Sequence, residues 1–187
     1  ISPNGKWALH TFSNAGFRRV RERISLPDHR TLDEAEGVAA LWAKHDASKN
    51  RVEFFQVTTS EGVTMDGWMV KPANLDPNKK YPVVFQVYTE PAGATVKNSW
   101  GVGNNGLYAG DMATDGYCYI SLDNRGTPAP KGRAWRKAIY RKIGIVNIRD
   151  QALGAQEVFK KWQWIDTSRV AVHGWSGGGS ATLNLLF

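Results

Sequence analysis

The sequence predicts an α/β fold in which a mainly parallel sheet with flanking helices follows a short stretch of antiparallel β-structure. From residue 80 onward, strand-like apolar runs alternate with helical patterns, which is the element order of an α/β protein. The runs at 82–88 and 117–122 are almost continuously apolar, as expected for strands buried on both faces. Residues 18–26 instead alternate, with Val20, Glu22, Ile24 and Leu26 on one parity and Arg19, Arg21 and Arg23 on the other, which indicates a strand with one solvated face.

Composition limits the class of protein. The chain has 187 residues, 42% of them hydrophobic, and a formal net charge of +7; such a composition is typical of a folded globular protein. The basic clusters at 18–23 and 131–142 are interleaved with apolar residues, which favours solvated faces of packed elements over a nucleic-acid surface. No apolar run approaches the length of a membrane span.

The cysteine and histidine content indicates neither a metal site nor a cofactor. Cys118 is the single cysteine and lies in an apolar run, so we expect a buried and inert thiol. His10, His29 and His45 lack metal-ligand spacing with Cys118 or with one another.

Strands are predicted at 6–12 and 18–26, with turn signals at 2–5 and 14–16. Two antiparallel strands cannot make a stable domain alone. A helical pattern at 32–44 follows them and is interpreted as a link. We therefore expect residues 1–45 to be the end of a larger β-structure with a linker, and residues 46–187 to be the N-terminal part of an α/β domain.

In the second part, the sequence predicts a hairpin of strands 52–58 and 63–70, and short strands at 82–88, 117–122 and 170–173. Helices are predicted at 106–114 and 148–162. The apolar residues expected on one face of the second helix are Ile148, Ala152, Ala155, Phe159 and Trp162.

The strand at 170–173 leads into a Gly-x-Ser-x-Gly motif formed by Gly174, Ser176 and Gly178. A strand that meets a helix at so sharp a corner holds the serine at positive φ, and side chains two positions away would strike neighbouring backbone unless they are glycine. The motif predicts a nucleophile elbow with Ser176 as the nucleophile. The amide of Gly177, at the start of the next helix, is expected to face the oxyanion of a tetrahedral intermediate.

Other polar residues near the motif are weaker candidates. His173 precedes Ser176 by three residues within the strand, so we expect it to pack in the sheet and not to act as the base. Arg125 fits either a solvated arginine or one that orders a loop beside the elbow. Asp150 is interpreted as a charge favoured by the N-terminal dipole of its helix.

On an α/β-hydrolase fold the acid and the histidine of the triad follow the serine in the chain. Residues 177–187 contain no Asp, Glu or His. We therefore interpret the chain as a fragment truncated after the elbow, with the triad Asp and His beyond its C-terminus, and expect the fragment alone to be inactive.

Three segments, 80–88, 123–140 and 166–176, resemble the S9 prolyl oligopeptidase family of serine peptidases, and within it the dipeptidyl peptidase IV-like branch. Residues 2–28 are similar to the closing blade of that family's β-propeller. The resemblance implies a truncated α/β-hydrolase domain preceded by the last propeller strands, and proteolysis by acylation and deacylation of a serine. It implies a peptide substrate and allows a homodimeric parent protein.

The resemblance also implies the site residues. Ser176 matches the nucleophile and Gly177 the oxyanion amide, while Tyr88 falls where the family places a tyrosine whose hydroxyl is the second oxyanion donor. Gly177 and Ser180 stand where dipeptidyl peptidases often carry tyrosines, so a proline preference does not follow. Dipeptidyl peptidase, oligopeptidase and acylaminoacyl peptidase activities remain open, as does the cellular compartment. An esterase or lipase, or a non-catalytic interaction module on the same fold, is the alternative.

Overall fold

The computed structural model describes residues 1–32 and 51–187. The chain divides into two compact units, one of Ile1–Asn50 with Asn98–Val102 and one of Arg51–Lys97 with Gly103–Phe187. Nearly all of the helix predicted at 32–44 lies outside the described residues.

The described part of the first unit contains an antiparallel pair, β1 (Trp7–Asn14) and β2 (Phe17–Ser25). Along β2, Val20, Glu22 and Ile24 are buried while the arginines between them are exposed. The predicted alternation is therefore confirmed. The Glu22 carboxylate accepts hydrogen bonds from His10 and Thr31, which lower its pKa.

The second unit is built on a five-stranded mixed sheet with the strand order β3-β4-β6-β5-β7. Its strands are β3 (Val52–Thr58), β4 (Thr64–Val70), β5 (Tyr81–Gln86), β6 (Cys118–Asp123) and β7 (Ile165–His173). β4 runs antiparallel to both β3 and β6, whereas β5 runs parallel to both β6 and β7. The predicted hairpin and the predicted α/β class are confirmed. The carboxyl ends of the three parallel strands meet at one edge of the sheet, which is where α/β proteins bind ligands.

The helices of the described residues are α1 (Gly132–Lys137), α2 (Val146–Lys161) and α3 (Gly177–Leu186). The helix predicted at 106–114 is wrong, because this segment forms turns. Its backbone is organised by side-chain hydrogen bonds instead: the Asp115 carboxylate accepts from the Asp111 N–H at 3.0 Å and from the Tyr108 hydroxyl at 2.7 Å. Aspartate side chains that bond nearby backbone favour turns over helix.

The core of the second unit lies around β6, which is buried at every position. Cys118 is fully buried, and burial raises the pKa of its thiol, as expected for an inert cysteine. Met65, Val83 and Val158 pack into the same cluster. Among the described residues, no helix is both long and apolar enough to cross a membrane.

Helix α2 forms close to its predicted range, and four of the five residues of its predicted apolar face, Ile148, Ala155, Phe159 and Trp162, pack partly buried against the core. Its buried residues are Asn147, Asp150, Gln151, Gly154 and Val158, whereas Ala152 is exposed. Gly154 allows close approach to the sheet, since a Cβ there would lie 2.9 Å from Leu122 Cδ1. The N-terminal half of the buried face is polar because its side chains bond the loops that follow β5 and β6.

Candidate active site

Ser176 lies at the corner between β7 and α3, with φ 55° and ψ −120°. A non-glycine residue at positive φ carries backbone strain, and such strain is found where surrounding structure holds a functional side chain in place. This geometry is that of a nucleophile elbow. Ser176 is exposed, so its hydroxyl is open to solvent and to a substrate.

Gly174 and Gly178 allow β5 to approach the elbow. A Cβ on either residue would strike the carbonyl oxygen of Val87, the residue that follows β5. The Val87 N–H donates to the His173 carbonyl at 2.9 Å, which extends the parallel pairing of β5 and β7 up to the turn. The motif glycines are therefore required by backbone that comes from another strand.

The N–H of Gly177, the first residue of α3, donates to no acceptor in residues 1–32 or 51–187. The first amides of a helix lack intrahelical partners, and they carry the positive end of the helix dipole. Neighbouring groups of the turn are paired: the Gly178 N–H donates to Trp175 O at 2.9 Å, and the Ser180 N–H donates to Ser176 O at 3.1 Å. A free donor thus lies directly beside Ser176.

Tyr88 lies against the same turn. Its Cα would be 3.2 Å from a Cβ placed on Gly178, and its half-buried side chain lines a cavity of about 250 Å³ together with Trp175 and His173. The fold therefore brings Tyr88, Ser176 and Gly177 to one edge of the sheet, although Tyr88 is separated from Ser176 by 88 positions in the chain.

Buried side chains of α2 and of the loop after β6 hold the loop that carries Tyr88. Thr89 has φ 71°. Its carbonyl accepts from Asn124 Nδ2 at 3.1 Å, and its hydroxyl accepts from Asn147 Nδ2 at 3.0 Å. Gln151 Nε2 in turn donates to Asn124 Oδ1 at 3.0 Å. The sequence gives no local signal for this support, because its members come from three separate segments.

Arg125 and Asp150 form an ion pair within this support. The guanidinium donates to the carboxylate through Nη2 at 2.7 Å and Nε at 3.0 Å, and the Arg125 backbone N–H donates to the same group at 3.0 Å. The pairing raises the pKa of Arg125. Asp150 is the fifth residue of α2 and almost fully buried, so its interpretation as a simple N-terminal helix charge is wrong. Arg125 orders the loop after β6 through the carboxylate of Asp150.

Glu90 is a site residue that the sequence analysis missed. A Cβ on Gly177 would collide with the Cγ, Cδ and Oε1 atoms of Glu90. The side chain of Glu90 therefore lies directly beside the free Gly177 amide. Helix α3 has no acidic residue in its first turn and no side-chain cap. A signal for Glu90 was therefore present in the sequence: a carboxylate follows Tyr88 by two residues, and the start of α3 lacks a carboxylate of its own.

Within residues 1–32 and 51–187, the side chain of His173 is hydrogen-bonded to Tyr119 and Asn105 and not to Ser176. Its Nε2 atom lies 3.1 Å from the Tyr119 hydroxyl and 3.5 Å from Asn105 Nδ2. Its ring stacks nearly parallel to that of Tyr119 at a centroid distance of 5.8 Å. Burial lowers the pKa of His173. The residue packs against the sheet, as the sequence analysis expected.

Within the described parts of the chain, no group of three or more His, Cys, Asp and Glu side chains could hold a metal ion. The groups that the fold brings to this edge are the Ser176 hydroxyl, the Gly177 amide, the Tyr88 side chain and the Glu90 carboxylate.

Comparisons with known proteins give the family of the chain. The prolyl oligopeptidase family matches residues 109–187. The probable dipeptidyl-aminopeptidase B of Sclerotinia sclerotiorum is 33% identical over 156 residues, which cover 83% of this chain and 16% of that protein. Dipeptidyl peptidase 8 of Homo sapiens is 35% identical over 134 residues, which cover 72% of this chain and 15% of that protein.

The fold is also that of a solved peptidase. The crystal structure of Porphyromonas gingivalis dipeptidyl peptidase 4 aligns with a TM-score of 0.80 and 27% identity, over 100% of this chain and 26% of that one. The chain thus spans about a sixth to a quarter of the length of these relatives. With this sequence identity, this fold and a serine elbow in one chain, the protein belongs to the prolyl oligopeptidase family, peptidase family S9, and to its dipeptidyl peptidase IV-like branch.

Proposed function

We propose that this chain supplies the nucleophile and the oxyanion-binding groups of a serine peptidase that cleaves short peptides as a dipeptidyl peptidase or an oligopeptidase. The observation that carries the proposal is Ser176 at φ 55° on the β7–α3 corner, beside the Gly177 N–H, which has no acceptor in the described part of the chain. Residues 1–45 then belong to the end of a β-propeller with its linker, and residues 46–187 to the N-terminal part of the catalytic domain.

In the proposed reaction, Ser176 Oγ attacks the carbonyl carbon of the scissile bond and loses its proton to a base. The carbonyl oxygen becomes an oxyanion, which accepts hydrogen bonds from the Gly177 N–H and the Tyr88 hydroxyl. Such donors act on charge that develops in the transition state, and losing one typically lowers kcat by about 10²–10³. Collapse breaks the C–N bond, the amine leaves with a proton, and water then hydrolyses the acyl-enzyme by the same steps.

The base is expected from outside this chain. No His, Asp or Glu side chain of the described residues is hydrogen-bonded to Ser176, and an unassisted serine hydroxyl is a weak nucleophile. The relatives are several times longer than this chain, which supports a complete protein that contributes the histidine and the acid.

The names of the relatives support a peptide substrate, since those compared are dipeptidyl peptidases or aminopeptidases. An elbow of this kind would serve ester hydrolysis equally well. The substrate class therefore needs a direct comparison of matched amides and esters.

The test uses the complete protein that contains this chain, assayed on a chromogenic dipeptide amide with a free amino terminus, its N-blocked form, and a matched aryl ester. Ser176→Ala should abolish amide hydrolysis. Ser60→Ala is the matched control, because Ser60 is an exposed serine in the turn between β3 and β4, and it should retain activity. Amide hydrolysis that survives Ser176→Ala, or hydrolysis of the ester alone, would contradict the proposal.

A second arm uses the 187-residue chain alone. Loss of the base of a serine triad costs on the order of 10⁶ in kcat, so turnover close to background is expected. Robust Ser176-dependent turnover by this chain would show that one of its own residues acts as the base. His173 would be the first candidate.

A further inference from the structure

We propose that a basic groove beside the elbow is a subsite for acidic residues of the peptide substrate. The groove, called the basic groove below, has a volume of about 940 Å³, and the lining residues used in the argument are Pro91, Arg133, Arg136, Lys137, Tyr140 and Arg141. This inference rests on the proposed function, because it names the substrate class that Ser176 would act on.

The charge of the groove comes from one segment. Every charged residue from 125 to 149 is a lysine or an arginine. Arg133, Arg136, Lys137 and Arg141 line the groove, and all four are exposed. Clefts lined by one sign of charge concentrate ligands of the opposite sign and speed their association.

Unlike other cations of the same segment, these four form no ion pair within the described residues. Arg125 pairs with Asp150, Lys131 pairs with Asp66 at 3.0 Å, and Arg149 pairs with Glu61. In contrast, none of the four groove cations forms an ion pair with a carboxylate of residues 1–32 or 51–187. Their charge remains available to a ligand.

Packing holds the groove open as a preformed surface. Ile139 is buried, and a Cβ on Gly126, which has φ 98°, would strike its side chain. The Gly126 N–H donates to Trp135 O at 3.0 Å, which ties α1 to the loop after β6. A ligand would therefore meet cations on an ordered segment, and less conformational entropy would be lost on binding.

An aromatic side chain keeps two of the cations near each other. Lys137 Nζ and Arg141 Cζ each lie 5.3 Å from the ring centroid of Tyr140. Cation–π contacts stabilise such charges without neutralising them. Tyr140 is itself 61% exposed, so the groove offers an apolar surface next to its charges, which suits a peptide side chain better than a bare anion.

The basic groove reaches the elbow through the loop after β5. Pro91 lines the groove, and the side chain of the preceding residue, Glu90, lies against Gly177 beside Ser176. Extended peptide advances about 3.3 Å per residue. Acidic residues within a few positions of the scissile bond can therefore reach the groove. The one negative charge of Glu90 is outweighed there by the four positive charges of the groove.

The experiment uses the complete protein and fluorogenic peptides that carry Asp and Glu within three positions of the scissile bond, on either side, each paired with its Asn and Gln counterpart. On at least one side, the acidic peptide should be cleaved with a kcat/KM about five- to tenfold higher, a ratio that falls with added salt. The Arg133→Gln, Arg136→Gln double variant should abolish this ratio and leave cleavage of the neutral peptide unchanged.

The matched control is Lys79→Gln, Lys160→Gln, which removes the same charge. Lys79 precedes β5 and Lys160 lies at the end of α2, so both lie near the other edge of the sheet. This variant should keep the ratio. An equal kcat/KM for acidic and neutral peptides, or a preference that the groove variant leaves intact, overturns the inference; equal rates are also the result if other parts of the longer protein cover the groove.

A binding measurement separates this inference from the proposed function. The Ser176→Ala protein is titrated with the same peptides, uncleaved, by fluorescence anisotropy. Tighter binding of the acidic peptide that is lost in the arginine double variant supports the subsite even if no hydrolysis is found. If neutral peptides are cleaved in a Ser176-dependent manner but acidic peptides bind no better, the proposed function stands and the subsite fails.

Discussion

The side chain of Glu90 occupies the space that a side chain on Gly177 would take. Two residues that are far apart in the chain are thus coupled sterically at the start of α3, beside Ser176. The coupling has consequences for stability and for oxyanion binding, and the two can be measured separately.

Alanine substitutions at adjacent glycines should differ sharply in cost. In Gly177→Ala the new methyl group meets the flexible end of Glu90, which can rotate away, so we expect a loss of less than about 1 kcal/mol in the free energy of unfolding. In Gly178→Ala it meets the backbone carbonyl of Val87, which cannot move freely, and we expect about 2–3 kcal/mol. Urea unfolding of the complete protein measures both. Equal costs would mean that Glu90 is held as rigidly as the backbone.

Removal of the Glu90 charge should speed the reaction while weakening the fold slightly. A carboxylate beside a helix N-terminus stabilises the helix by about 0.3–1 kcal/mol, but the same negative charge opposes an oxyanion at the Gly177 amide. We expect Glu90→Gln to raise kcat on neutral substrates by about two- to fivefold at low salt. Steady-state kinetics on the complete protein test this. A lower kcat would indicate instead that the carboxylate binds a cationic group of the substrate.

The ion pair of Arg125 and Asp150 should contribute far more than an exposed pair. Arg125→Ala leaves an almost fully buried carboxylate without its partner, and loss of one member of a buried pair costs about 3–5 kcal/mol; since Arg125 is 28% exposed, we expect a value near the lower limit, about 3 kcal/mol. The matched control is Arg169→Ala, whose pair with Asp166 is more exposed than that of Arg125 with Asp150, and a much smaller loss is expected there. Chemical denaturation of each variant provides the comparison, and similar losses would contradict the buried-pair argument.

His173 should make stability depend on pH on the acidic side of neutrality. Burial lowers its pKa in the folded state from the ordinary value of 6.5, so the unfolded chain binds a proton at higher pH than the folded protein does. The contribution of His173 to the free energy of unfolding is therefore complete above about pH 6.5. It decreases as the pH drops toward the lowered pKa of the folded state. Unfolding midpoints across this range should show the decrease.

The control for this pH dependence is a histidine substitution elsewhere. His173→Gln should remove the His173 contribution, whereas His29→Gln, at an exposed residue, should leave the profile unchanged. An unaltered profile in His173→Gln would mean that the buried imidazole is not the group that titrates.

The elbow and the alternation of β2 could be predicted from local sequence. Gly174, Ser176 and Gly178 lie within five positions, and the strain at Ser176 together with the close approach at the glycines leaves few other residue types that fit. The burial pattern of β2 could also be predicted, since side chains on one face of a strand recur every two residues. The strain at Ser176 and the alternation of β2 depend on local covalent geometry, and the glycines additionally avoid the carbonyl of Val87, which follows the neighbouring strand.

Only the tertiary structure decided which groups surround the elbow. Besides the predicted apolar residues that pack against the core, helix α2 buries Asn147, Asp150 and Gln151. The sequence did not predict their burial, because their partners Thr89, Asn124 and Arg125 come from loops distant in the chain. The turns at 106–114 follow from side-chain hydrogen bonds that a periodic pattern does not encode. Burial of a polar group is tolerated only where a hydrogen-bond partner is available. The parallel strands bring these partners together, because their carboxyl ends lie at one edge of the sheet.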